Sequence, residues 1–301
     1  MTRALLLWFA LAVGVGPACA QDAPDTSGTP ALPLAAVPLA ETFELSGQYR
    51  EAAVEYQRCA MLLPDSMVEP RHRAILKAAD CYRLAGLYAL ASRQLEHLEA
   101  EPALADSFVA RAALLRAFCR RDQGDHRGAL AALGLDGGTP RELPPSHRLV
   151  AAGELLHLHR WKPAQDLLRG GAPGPDGSSF EDGRQRLISL AEEGAVLKTP
   201  RPVIAVLLSA VLPGAGRVYA GHRAEGINSF VLEVVTAWQA VVGFDRDGTR
   251  STRGWIAVGT GVVFYAGDLY GSAVTATRAA QKKWNEFSVR VDEAVAHGLT
   301  P

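Results

Sequence analysis

Cysteine is scarce in this chain, and the few present are not spaced for chemistry. Of four cysteines, Cys19 lies in the first twenty residues, while Cys59, Cys81 and Cys119 stand far apart without a C-x-x-C pair. That spacing argues against a disulfide framework or a zinc site, and leaves the three later thiols as small apolar residues of helical stretches or, at most, one disulfide. Charge of one sign is also lacking. Thirty-one Lys and Arg balance 32 Asp and Glu to a net charge of -1, so no broad basic surface for nucleic acid is expected. Missing too are GxSxG, HExxH, a Cys/His setting and a paired-carboxylate signature, so neither an enzyme nor a cofactor or metal site is expected. His157 and His159, two apart, point to different sides of a helix and read as solvated surface rather than as a metal pair. Arg120 and Arg121 read as an exposed helix end.

What the chain does contain falls into segments. Thr2 and Arg3 precede an apolar run from Ala4 to Gly16 and then Pro17-Ala18-Cys19-Ala20, which supplies an A-x-A cleavage site. Residues 1–20 therefore read as a signal peptide, with the mature chain beginning at Gln21 outside the cytoplasm. A lipoprotein alternative would acylate Cys19, but Gly16 and Pro17 fit that signal poorly. Residues 21–40 are rich in Pro and small side chains and read as a flexible, extended linker.

Residues 41–195 carry an internal repeat. The stretches starting at Gly47, Gly86, Gly124 and His159 share a turn residue, a ring two later (Tyr49, Tyr88, His126, Trp161), an Ala five later (Ala52, Ala91, Ala129, Ala164) and a large side chain nine later (Tyr56, Leu95, Leu133, Leu168). They recur at intervals of 39, 38 and 35 residues. Gly permits a left-handed turn, the ring plugs the gap between two helices, and Ala lets their backbones approach. The pattern resembles the tetratricopeptide repeat, a helix-turn-helix unit of about 34 residues. Pro64 and Pro102, just after the second helices of the first two units, fit the resemblance, while His126 in place of Tyr and His159 in place of Gly depart from it. It implies a concave surface presented to a protein or peptide partner; the alternative is a plain helical bundle.

From Val203 the composition becomes strongly apolar. Residues 203–219, 226–243 and 255–277 are candidate membrane spans: the second and third are near the required length of about 20 residues, and the first is borderline because Pro213 breaks it. A soluble buried hairpin is the alternative. Ser229, Glu233, Thr236 and Ala240 share one helical face, as do Gly261, Tyr265, Asp268, Ser272 and Thr275, and Gly267 and Gly271 form a GxxxG contact; the two faces are expected to pair. With no basic partner inside the spans, Glu233 and Asp268 read as structural glue, with an ion or proton path as the competing role.

Between the first two runs lies SAVLPGAGRVYAGHRAEG, Ser209 to Gly226. It lacks the Lys and hydroxyl of a phosphate-binding loop, and Gly214, Gly216 and Gly221 miss the GxGxxG spacing by two residues. Pro213, Gly214, Gly216, Tyr219 and Gly221 instead resemble the PGxGQxYxG signature of a small bacterial helical membrane module of unassigned activity, with Arg217 where Gln is common. The resemblance implies architecture only. By its residues the stretch is a helix break and interfacial turn, with Arg217, His222 and Arg223 at the membrane surface. If residues 203–219 span, these cations and Arg278, Lys282 and Lys283 are cytoplasmic; if not, Arg246, Arg250 and Arg253 take that side. Residues 278–301 place Trp284, Phe287, Val291 and Ala294 at near-helical spacing and read as an amphipathic tail lying in the interface.

The expected fold is all-α: a tetratricopeptide-like array, then a membrane module at 196–277 with two or three helices. The expected role is a membrane-anchored scaffold in the bacterial inner membrane whose periplasmic repeats bind an envelope protein or peptide. A transporter or channel subunit using Glu233 and Asp268 is the alternative, and a homo-oligomer is compatible with either.

Overall fold

A computed structural model describes residues 32–300, apart from 65, 102–103, 136–142 and 171–177. The expected signal peptide, the first part of the linker and Pro102 lie outside the described residues. Among the described residues every regular element is helical, with thirteen α-helices, one 3-10 turn and no strand. They fall into two units, Met1–Ala195 with Val291–Pro301, and Val196–Arg290.

The first unit is a run of helical hairpins. Its helices are α1 (Leu32–Leu45), α2 (Tyr49–Leu62), α3 (Val68–Leu84), α4 (Tyr88–Glu99), α5 (Asp106–Asp122), α6 (His126–Ala132), α7 (Pro145–His157), α8 (Trp161–Arg169) and α9 (Ser178–Val196). The four repeated stretches are the turns α1/α2, α3/α4, α5/α6 and α7/α8. At each, the turn residue takes a positive φ: Gly47 +75°, Gly86 +74°, Gly124 +76° and His159 +58°. Each turn closes with the same backbone bond, from Gln48 to Phe43, Leu87 to Tyr82, Asp125 to Arg120 and Arg160 to Leu155, all at 2.8–2.9 Å. This left-handed closure satisfies carbonyls that the first helix of each pair would leave orphaned. The ring two later is the first residue of each second helix. Ala52, Ala91, Ala129 and Ala164 are each 0% exposed, and Tyr56, Leu95, Leu133 and Leu168 are buried. The small side chain lets the paired helices close, and the large one fills the layer a turn later.

Two segments differ from the sequence reading. Residues 32–40 are not an extended tether: they form most of α1, with Pro38 inside the helix. Ala40 is buried among Ala52, Ala53 and Tyr56, and Val37 packs against Cys59, Ala60 and Ala74. That burial offsets the missing proline N–H. The tail is helical, as its spacing suggested, but its end is not an interface-lying face. Val291, Ala294 and Val295 are buried within the first unit, Gly153 leaves room for Val295 and Val291, and Gly298 lies against Gly183 and Leu149.

The second unit contains α10 (Pro202–Val211), α11 (Ala215–Tyr219), α12 (Arg223–Asp247) and the main part of α13 (Thr252–Leu299), the last a single 48-residue helix. By length and composition alone, Arg223–Arg250 is the one helix among the described residues that qualifies as a membrane span, with only 6% of its most apolar stretch buried; residues 255–277, expected to span as well, lie in α13 and do not qualify by that measure. The expected first span is the ten-residue α10 plus a broken turn. At 1.5 Å per residue it extends about 15 Å, half of a hydrocarbon core.

Candidate functional site

The backbone of the PGxGxxYxG stretch is bonded by polar side chains of both α10 and α13. The helix α10 ends at Val211, Leu212 is extended, and Gly214 takes φ +80° as the cap of the five-residue α11. A methyl group at Gly214 would collide with the Gly226 carbonyl, one at Gly216 with the Ala205 carbonyl, and one at Gly226 with Val218 and the Gly214 carbonyl. These glycines serve close backbone approach rather than ligand binding. Gly221 has φ +96° with open space around it, so only its backbone conformation needs glycine. Tyr219 receives a hydrogen bond from the Arg201 backbone N–H at 3.4 Å.

The free N–H groups at the start of α11 are satisfied by side chains from other helices. The Gly214 N–H donates to Asp268 Oδ2 at 2.7 Å, and the Gly216 N–H donates to Ser209 Oγ at 3.1 Å. Ser209 is in turn bonded to Ser272 Oγ at 2.7 Å, and Tyr265 donates to the Ala210 carbonyl at 2.9 Å. The polar face of α13 is therefore directed at α10 and α11. In an apolar surrounding a helix start needs such partners, because no water replaces them.

Asp268, 2% exposed, also has a cation beside it: Arg217 Nε lies 3.2 Å from Oδ1. For Asp268, though not for Glu233, the expectation of no basic partner is thus corrected. Arg217 comes from the turn rather than from a span, so spacing within the apolar runs could not reveal it. Gly271 accommodates the Arg217 guanidinium, while Gly267 faces open space, so the GxxxG pair is not a helix-helix seam. The helices α12 and α13 do close elsewhere, at Gly261 against Thr236 and at Gly243 against Gly254. On α12, the Glu233 Oε1 atom is buried without a hydrogen-bond partner. His222 pairs with Glu225 at 3.2 Å on the exposed entry to α12.

Two ionic clusters join helices of the first unit among the described residues. Arg83 reaches Asp80 of its own helix at 2.7 Å and Asp122 of α5 at 2.7 Å, joining the second hairpin to the third. The second cluster corrects the reading of His157 as solvated. His126 Nδ1 bonds to the buried Glu154 at 2.7 Å, the His126 and His157 rings stack at 4.7 Å, and His157 Nε2 bonds to Asp292 at 3.1 Å. The Glu154 carboxylate holds the His126 pKa above its usual value. His159 is exposed at its turn, and no group of three metal-ligating side chains occurs among the described residues. Arg120 is exposed as expected, whereas Arg121 lies over the Phe118 ring at 4.9 Å. Cys59, Cys81 and Cys119 are buried free thiols, pushed up by burial, Cys119 to about 11.

The chain matches no protein-family model, no curated protein and no solved structure.

Proposed function

We propose that this protein is a membrane-anchored scaffold of tetratricopeptide-like repeats that binds a protein or peptide of the bacterial envelope. The observation that carries the anchoring is the exposure of apolar side chains on the second unit: Val203, Leu207 and Val211 on α10, and Ile227, Val231, Trp238 and Val241 on α12, are all more than half exposed. A soluble core helix would bury them, and burying such a belt in lipid is worth about 25 cal/mol per Å². The leader-like first twenty residues support placing the repeats in the periplasm.

The test is fractionation with an alkaline carbonate wash, followed by crosslinking in cells from exposed repeat positions. Retention in the washed membrane with one reproducible crosslinked protein supports the scaffold; release by carbonate sinks the anchoring. A second reading, an envelope transport subunit, is favoured by the unpartnered buried oxygen of Glu233. Lost flux with unchanged assembly in a Glu233→Gln, Asp268→Asn double variant would establish it. Against it, Asp268 already serves the Gly214 N–H and Arg217.

A further inference from the structure

The two pieces of the first unit constrain how the chain crosses the bilayer. The end of α13 is built into the repeats at four places: Val291, Ala294 and Val295 are buried there, Gly298 meets Gly183, Asp292 bonds to His157, and Ser179 donates to the Thr300 carbonyl at 2.6 Å. Segments packed into one core lie on one side of a membrane. The intervening 196–290 must then cross an even number of times.

We infer that the chain crosses exactly twice, through α12 and through the first half of α13, with α10 and α11 entering the bilayer without crossing it. The inference rests on the membrane-anchored reading above. One crossing belongs to α12, and parity demands a second. The ten-residue α10 is about half long enough, so among the described residues α13 is the element left to supply it. Along 255–277 it exposes Trp255, Ile256, Val262, Val263 and Tyr270. Asp268, Ser272 and Tyr265 are directed at the broken turn: Asp268 to Gly214 and Arg217, Ser272 to Ser209, and Tyr265 to the Ala210 carbonyl. The broken turn thus neutralises the acid that makes α13 a poorer span by composition than α12.

The topology follows. The repeats and the C-terminus share one compartment, and the 245–253 turn, with Arg246, Arg250 and Arg253, is in the other. Export of the repeats by the leader puts those arginines in the cytoplasm. Lys198, Arg201, Arg278, Lys282 and Lys283 flank the opposite ends of the spans, so charge counting alone favours the inverse orientation. Parity holds in both.

Substituted-cysteine labelling with a membrane-impermeant maleimide, in intact and in permeabilised cells, tests this on the full chain. Single cysteines replace Ser46 and Thr249, and one is appended after Pro301; the native thiols 59, 81 and 119 are buried and serve as the unlabelled background. The expected result is labelling of position 46 and of the C-terminus in intact cells, with position 249 labelled only after permeabilisation. The inverse pattern keeps the parity and overturns export. Opposite behaviour of position 46 and the C-terminus overturns the inference while leaving anchoring intact. Carbonate release of the whole chain overturns the anchored reading on which it rests.

Discussion

The Asp268 carboxylate accepts the Gly214 backbone N–H at 2.7 Å, across 54 residues of sequence. That bond ties the break after α10 to the middle of α13, and with Arg217 at 3.2 Å it makes the turn depend on a side chain far away in the chain. Replacement by Ala leaves a buried N–H and a half-buried guanidinium without partners, at a cost of about 1–3 kcal/mol for the N–H alone. Asp268→Asn keeps an acceptor and is expected to retain more stability than Asp268→Ala. Thermal unfolding of both variants in detergent checks this; equal midpoints would show that the bond contributes nothing.

The glycines of the same turn should separate by cause. Gly214→Ala meets both a left-handed φ and the Gly226 carbonyl, whereas Gly221→Ala meets the φ alone. Gly221→Ala is expected to cost about 1–2 kcal/mol, and Gly214→Ala clearly more. Expression and unfolding temperature measured side by side rank them.

Arg83 is buried between Asp80 and Asp122. Truncation to Ala strands two carboxylates, and losses of about 3–5 kcal/mol are typical of broken buried pairs. Arg83→Lys keeps the charge but loses the fork that serves both acids, so an intermediate loss is expected. Denaturant midpoints of the three proteins decide the order.

The His126–Glu154 pair sets a pH dependence with a definite sign. The pKa of His126 is raised on folding, so its contribution is fully present below the unfolded value of about 6.5 and is lost as pH rises through the folded value. The groups facing the ring and acting on it are Glu154 and Asp292, which favour its charge, and Arg121, which opposes it; the stacked His157 faces it as well. His147 is lowered by burial and acts oppositely, losing stability as pH falls below about 6.5. The difference in unfolding free energy between the native chain and His126→Gln is therefore expected to be largest below pH 6.5 and to shrink above it. A difference that does not vary with pH would refute the assignment.

Burial also sets the thiol chemistry. With Cys59, Cys81 and Cys119 all raised and enclosed, alkylation at pH 8 is expected to be negligible in the folded chain and complete after denaturation. Mass spectrometry of the alkylated protein reads the count directly.

Much of the first unit was legible from spacing alone. A turn residue, a ring, an Ala and a large side chain at offsets of zero, two, five and nine describe one helical hairpin, because those offsets are fixed by the local geometry of a left-handed turn and a 3.6-residue helix. His159 shows that the pattern tolerates a poor residue: it takes φ +58°, and its turn closes with the same backbone bond, from Arg160 to Leu155, as the glycine turns. The break at Pro213 and the glycines after it were legible for the same local reason.

The sequence by itself determined the all-helical elements, the positions of the turns, and the run at α12 able to cross a bilayer, since propensity, periodicity and hydropathy act over a few neighbouring residues. Only tertiary structure decided the partners. Arg217 reaches Asp268 from 51 residues away, His157 meets Asp292 from 135 residues away, and residues 291–300 return to the repeats rather than lying on a membrane surface. Such pairings follow from which faces the folded chain brings into contact, and no local period in the sequence encodes that.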